Sequence, residues 1–161
     1  MNFSQGRHPL RPRISFSKPT PHLTSSLTPT SVPVVETLSV LFNAATRSGL
    51  PGVQTRHSFS RTVLITVSGT GHVSAKENSD AFYVYNDIFG KPLSPPNAAS
   101  CWVLYINGQH ASLLAGLPVY TSTHVYKFSI SLNQSGPITF GVCDGRAADN
   151  SGGYTITVQQ K

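Results

Sequence analysis

Acidic residues are scarce in this chain: six Asp and Glu among 161 residues, against twelve Lys and Arg. Glycoside hydrolysis needs two well-placed carboxylates, and two glutamates (Glu36 and Glu77) beside four aspartates point away from such an enzyme. A phosphate loop, a dinucleotide fingerprint and a strand-turn-helix nucleophile elbow are likewise missing, so a non-catalytic protein is expected. Cysteine is limited to Cys101 and Cys143, neither with a second Cys or a His at zinc-ligand spacing. Two buried thiols are the first reading, and a disulfide stays open because it requires the two strands to be neighbours. The chain has no apolar run of about eighteen residues, which excludes a transmembrane helix. Nor do its first thirty residues contain the apolar stretch of about seven to fifteen residues that a secretory signal needs. Synthesis in the cytoplasm without an export signal is therefore expected, with an organelle transit peptide as the minor alternative. On the same ground the sequons Asn2-Phe3-Ser4 and Asn133-Gln134-Ser135 are read as chance.

What charge there is divides unevenly. Residues 1–61 hold seven of the bases and one acid, Glu36, so the whole formal charge of +6 resides there, and residues 62–161 balance five acids with five bases. Residues 1–33 are basic and rich in Pro, Ser and Thr, without apolar periodicity, the composition of an extended arm that builds no core of its own. Arg7, Arg11, Arg13 and Lys18 would let this arm meet an acidic surface on other subunits of a multi-protein assembly. Nucleic acid is the less favoured partner, because only Phe3 and Phe16 interleave with these bases.

From residue 34 to 161 the chain reads as one β domain. Val63, Ile65 and Val67 alternate with Leu64, Thr66 and Ser68, the period of two of a strand with one face on a core. Further strands are expected over Ala81 to Asn86, Trp102 to Asn107, Gln109 to Leu114, His124 to Leu132, Ile138 to Val142 and Tyr154 to Val158. Asn107-Gly108 is a hairpin signal. Val34 to Phe42 fits either a strand or a short helix. Trp102, followed by Val103 and Leu104, is read as core. Short strands with turn signals at regular intervals predict an all-β fold, an antiparallel β-sandwich with a jelly roll as the closest competitor, and with the N-terminal arm appended.

The acids past residue 61 fall in two segments, Glu77 to Asp87 and Asp144 to Asp149. The second lies in a turn, Asp144-Gly145-Arg146-Ala147-Ala148-Asp149-Asn150-Ser151-Gly152, rich in the oxygen donors a calcium ion takes. The same residue types also make plain hairpin turns. Three segments together, Val67-Ser68-Gly69-Thr70-Gly71, Ser79-Asp80-Ala81-Phe82-Tyr83 and Asp144 through Gly152, resemble the small calcium-dependent galactose-binding lectins of bacteria and their galactose-binding-domain-like relatives. The resemblance covers about residues 61–161. It implies a calcium site at Asp144, Asp149 and Asn150, with an earlier loop around Lys76 to Asp80 contributing, so that Asp80 joins the set. Arg146 offers a second reading, a guanidinium paired with Asp144 and Asp149 in place of the metal. Those lectins use a His-x-x-Gln for sugar hydroxyls, which Lys91 to Ser100 does not contain. The ligand-binding candidates are Tyr83, Tyr85 and Asn86, with the two tyrosines equally readable as core edge. The expected function is a lectin-like subunit of a larger assembly such as a phage virion (capsid, tail or baseplate) that binds glycans with calcium. The alternative is a structural or decoration subunit with no ligand.

Overall fold

A computed structural model of the chain describes residues 32–44, 52–75, 77–86, 91–94, 101–144 and 147–161. All of them belong to a unit running from Val32 to Lys161. Residues 1–31, with Arg7, Arg11, Arg13 and Lys18, lie outside the described residues, as do Asp87, Gly145 and Arg146.

The described residues form antiparallel sheets throughout. In chain order the strands are β1 (Val35–Leu41), β2 (Val53–Gln54), β3 (Thr62–Ser68), β4 (Gly71–His72), β5 (Asn78–Ser79) and β6 (Val84–Asn86). They continue with β7 (Lys91–Ser94), β8 (Leu104–Ile106), β9 (Gln109–His110), β10 (Val125–Ser131), β11 (Thr139–Val142) and β12 (Ser151–Gln160). A short helix, α1 (Ala111–Ala115), follows β9.

The long strand β12 is the axis of the larger sheet. Its Thr157 stands opposite Thr66 of β3 and Thr37 of β1, so β12 lies between those two strands, and β10 flanks β3. The alternation expected over Thr62 to Ser68 is present: Val63, Ile65 and Val67 are fully buried while the residues between them are half-buried. Past β3 the chain bends and pairs with the start of β12 again as β4, then continues as the meander β5, β6 and β7. Two glycines make this bend. Gly69 has φ 115°, and a Cβ there would lie 2.3 Å from the Gly153 carbonyl oxygen; Gly152 has φ 84°, with the Thr70 oxygen 2.5 Å from a Cβ. No other residue meets both conditions.

The smaller sheet runs β2, β11, β8, β9. The Asn107-Gly108 turn closes β8 on β9 with both residues at positive φ, 51° and 75°, the conformation a two-residue primed turn needs. Strands of both sheets meet in one buried cluster: Ile65 and Ile156 from the larger, Ile106 and Phe140 from the smaller, with Phe82 between edge-on rings of Tyr126 and Phe128. Each such side chain taken fully from water contributes about 1.5–3 kcal/mol.

Several expectations change. Val34 to Phe42, open between strand and helix, forms β1, paired along its length with β12. Gln109 to Leu114 is not one strand: pairing stops at His110 and Ala111–Ala115 turns helical. That Ala-Ser-Leu-Leu-Ala segment has no β-branched residue and is rich in strong helix formers. Ala81 to Tyr83 is a turn, and the strand begins at Val84. Cys101 and Cys143 are not two thiols but a disulfide, with Cα atoms 4.7 Å apart. Pairing of Leu104 with Val142 makes β8 and β11 neighbours, which carries the residues before one and after the other to the same edge. No helix among the described residues is long and apolar enough to cross a membrane.

Candidate functional site

The two acid-bearing segments come to one end of the sheets. Asp80 follows β5 and Asp144 follows β11, and both segments flank the stretch leading into β8. The Trp102 backbone N–H donates to the Cys143 carbonyl at 2.7 Å, the Leu104 N–H to the Ala81 carbonyl at 3.2 Å, and the Ser79 hydroxyl to the Trp102 carbonyl. Trp102 itself takes φ 81°, a strained position for a bulky residue, between the disulfide and the Asp80 turn.

Asp144 and Asn150 are both buried, 6% and 7% exposed. The Asn150 side-chain NH2 donates to Asp144 Oδ2 at 2.7 Å, and it also faces the Phe42 carbonyl at 3.4 Å. The Asn150 side-chain oxygen, by contrast, is buried with no hydrogen-bond partner among the described residues. Leaving an amide oxygen in that state costs about 1–3 kcal/mol. Asp149 ends a 3₁₀ turn over Ala147–Asp149 and is exposed. Arg146, the residue of the guanidinium alternative, lies outside the described residues. Among the described residues no three or more His, Cys, Asp or Glu side chains gather as a metal group. A cation here would therefore depend on the Asn150 amide oxygen and on backbone carbonyls beside Asp144, donors that suit calcium and not zinc.

Asp80 has a different environment. It is fully buried, and its carboxylate is engaged by four donors. Oδ1 accepts the backbone N–H groups of Phe82 and Tyr83 at 2.9 and 2.8 Å, while Oδ2 accepts the Tyr126 hydroxyl at 2.8 Å and His124 Nδ1 at 2.9 Å. A carboxylate only accepts, so His124 carries its proton on Nδ1. The Tyr154 hydroxyl donates to the Asp80 carbonyl at 2.8 Å. Burial first, and then the hydrogen bond to Asp80, pushes the Tyr126 hydroxyl far above the ordinary phenol range. Tyr154 shifts the same way, mainly through burial.

Of the two roles open for Tyr83 and Tyr85, the structure shows packing at the core edge: they are 7% and 5% exposed. The Tyr83 hydroxyl donates to the Pro118 carbonyl, and the Tyr85 hydroxyl shares a hydrogen bond with Thr70. Asn86 ends β6 opposite Lys91, and its side chain is outside the described set. Sequence reasoning missed His124, Tyr120 and Tyr126, which complete this cluster. The His124 ring stacks on Tyr85 with centroids 4.9 Å apart, and Tyr120 meets both His124 and Tyr83 edge-on. The only local signal was His124-x-Tyr126 at the start of a strand, which says nothing of a carboxylate 44 positions away.

No family model, curated protein or solved structure matches this chain.

Proposed function

We propose that this chain is a non-catalytic, lectin-like β-sandwich module that binds a glycan through calcium held at Asp144 and Asn150. In this reading the module is fastened to a larger assembly, such as a virion, by its basic segment of residues 1–33. The sandwich part draws support from the two antiparallel sheets whose strands share one buried cluster. The calcium part rests on one observation: a buried side-chain oxygen of Asn150 without a partner, beside the buried carboxylate of Asp144. Calcium binds oxygen alone and tolerates amide, carboxylate and carbonyl donors together. The sequence resemblance adds Asp149, exposed on the same turn, to the ligand set.

The test is thermal unfolding of the full chain in excess calcium and in chelator, followed by a glycan array in both conditions. At a hundred times its dissociation constant, calcium stabilises the folded state by about 2.7 kcal/mol. Asp144→Asn should remove the calcium shift and glycan retention together. Absence of any shift and of any glycan retention would leave the second reading, a structural or decoration subunit with no ligand. That reading draws on Asp80, whose carboxylate is consumed entirely by internal hydrogen bonds.

A further inference from the structure

The opposite end of β11 carries a second feature. Between the β8–β9 turn, α1 and the β10–β11 turn lies a cleft of about 450 Å3, within the range of about 300–1,000 Å3 common for small-molecule sites. Leu114 and Leu132, both half-buried, give its floor an apolar patch, backed by the buried Ile106 and Ile130. Its rim is made of amides, Asn107, Gln109, Asn133 and Gln134. Among the described residues no Lys, Arg, His, Asp or Glu lines it, although the chain has a net charge of +6.

The rim is partly pre-set. Asn107 Oδ1 accepts the Thr139 backbone N–H at 2.9 Å and the Thr139 hydroxyl at 3.2 Å, which fixes its amide plane and leaves its NH2 as an oriented donor. Gln109, Asn133 and Gln134 are exposed, and their side chains have no hydrogen-bond partner among the described residues. Each such amide both donates and accepts.

We propose that this cleft binds a neutral saccharide unit, independently of calcium. A pyranose offers an apolar C–H face to the Leu114 and Leu132 patch and a ring of hydroxyls to the amides, and it presents no charge for which the described lining has a counter-ion. A peptide docking by strand addition fits less well, because the edge strand here, β9, has two residues. From Pro137 to Cys143 an extended chain spans about 20 Å, so this cleft and the Asp144–Asn150 pair are separate sites.

The experiment is a titration of the isotope-labelled full chain, in chelator, with methyl glycosides of galactose, glucose, mannose and N-acetylglucosamine, and with an uncharged, end-capped tripeptide. The expected result is backbone amide shifts over residues 106–109 and 130–136 with at least one glycoside, unchanged in Asp144→Asn. The double variant Gln109→Ala/Gln134→Ala, altered only at exposed positions, should keep its spectrum and lose roughly tenfold in affinity. Three results would overturn the proposal: no shifts at these amides with any glycoside, shifts confined to residues 142–152, or shifts here with the tripeptide alone. Because calcium is absent throughout, failure here leaves the calcium-dependent reading intact, and failure of that reading leaves this one.

Discussion

Breaking the Cys101–Cys143 bond should lower the stability of this protein by about 4 kcal/mol. The two residues are 42 positions apart, and in the chain-entropy picture a loop of that length closed in the unfolded state removes about 13 cal/mol/K. Across the unit from Val32 to Lys161, with unfolding entropy of about 2.1 cal/mol/K per residue, that corresponds to a fall in Tm of about 15 °C. The assay is thermal unfolding followed by circular dichroism, with the oxidised chain, the reduced chain, and Cys101→Ser/Cys143→Ser compared at one pH. The reduced protein and the double variant should agree, since both lose the same constraint. A fall of less than about 4 °C, near 1 kcal/mol, would refute the loop-closure reasoning. Alkylation of both cysteines in the native, unreduced protein would go further and remove the bond itself.

Asp80→Ala strands two backbone N–H groups, the Tyr126 hydroxyl and His124 Nδ1, and should cost about 3–5 kcal/mol by urea unfolding, with Asp80→Asn milder because its amide oxygen still serves Phe82 and Tyr83. A loss under about 1 kcal/mol for the alanine variant would contradict the hub. His110 is buried with no partner on Nε2, and burial lowers its pKa from the usual 6.5. The unfolded state therefore takes up the proton first. The His110 contribution is full above about pH 6.5 and shrinks as pH falls from there toward the folded-state value. His110→Leu should flatten the decline in urea midpoint between about pH 7 and 5, and an identical decline in both proteins would refute this. Gly69→Ala forces a Cβ to 2.3 Å from the Gly153 oxygen at φ 115° and should destabilise by about 1–3 kcal/mol, whereas a neutral result would mean the β3–β4 bend is built otherwise.

Much of the fold was legible wherever burial alternates. Thr62 to Ser68, His124 to Leu132 and Tyr154 to Val158 carry their inward residues at every second position, and strands occupy each of these segments. Asn107-Gly108 fixed a turn because only that chemistry accepts two positive φ angles in succession. Gln109 to Leu114 misled because a two-residue strand leaves no period to read, and the helix after it is too short to show one. The disulfide was illegible for a topological reason: whether β8 and β11 are neighbours is decided by sheet order, not by the spacing of Cys101 and Cys143. The clustering of acids drew attention to the segments bearing Asp80 and Asp144, which both flank the stretch leading into β8. It did not foretell that Asp80 is consumed by His124 and Tyr126, because those partners sit more than forty positions along the chain, just before and on β10.

The two buried aspartates, Asp80 and Asp144, have different surroundings. Four donors already converge on Asp80, so an ion arriving there would have to displace backbone N–H groups that hold the turn into β6. At Asp144 the neighbouring group is an amide whose NH2 is used and whose oxygen is not, so a carboxylate and a surplus acceptor stand together out of water. The Asn150 NH2 already serves the Asp144 carboxylate, and the covalent tie of Cys143 to Cys101 holds the residue before Asp144 in place. The scarcity of acids sharpens the point. Of the four aspartates in the chain, Asp80 knits the core and Asp144 holds the Asn150 amide, and it is at the second that the proposed calcium would act.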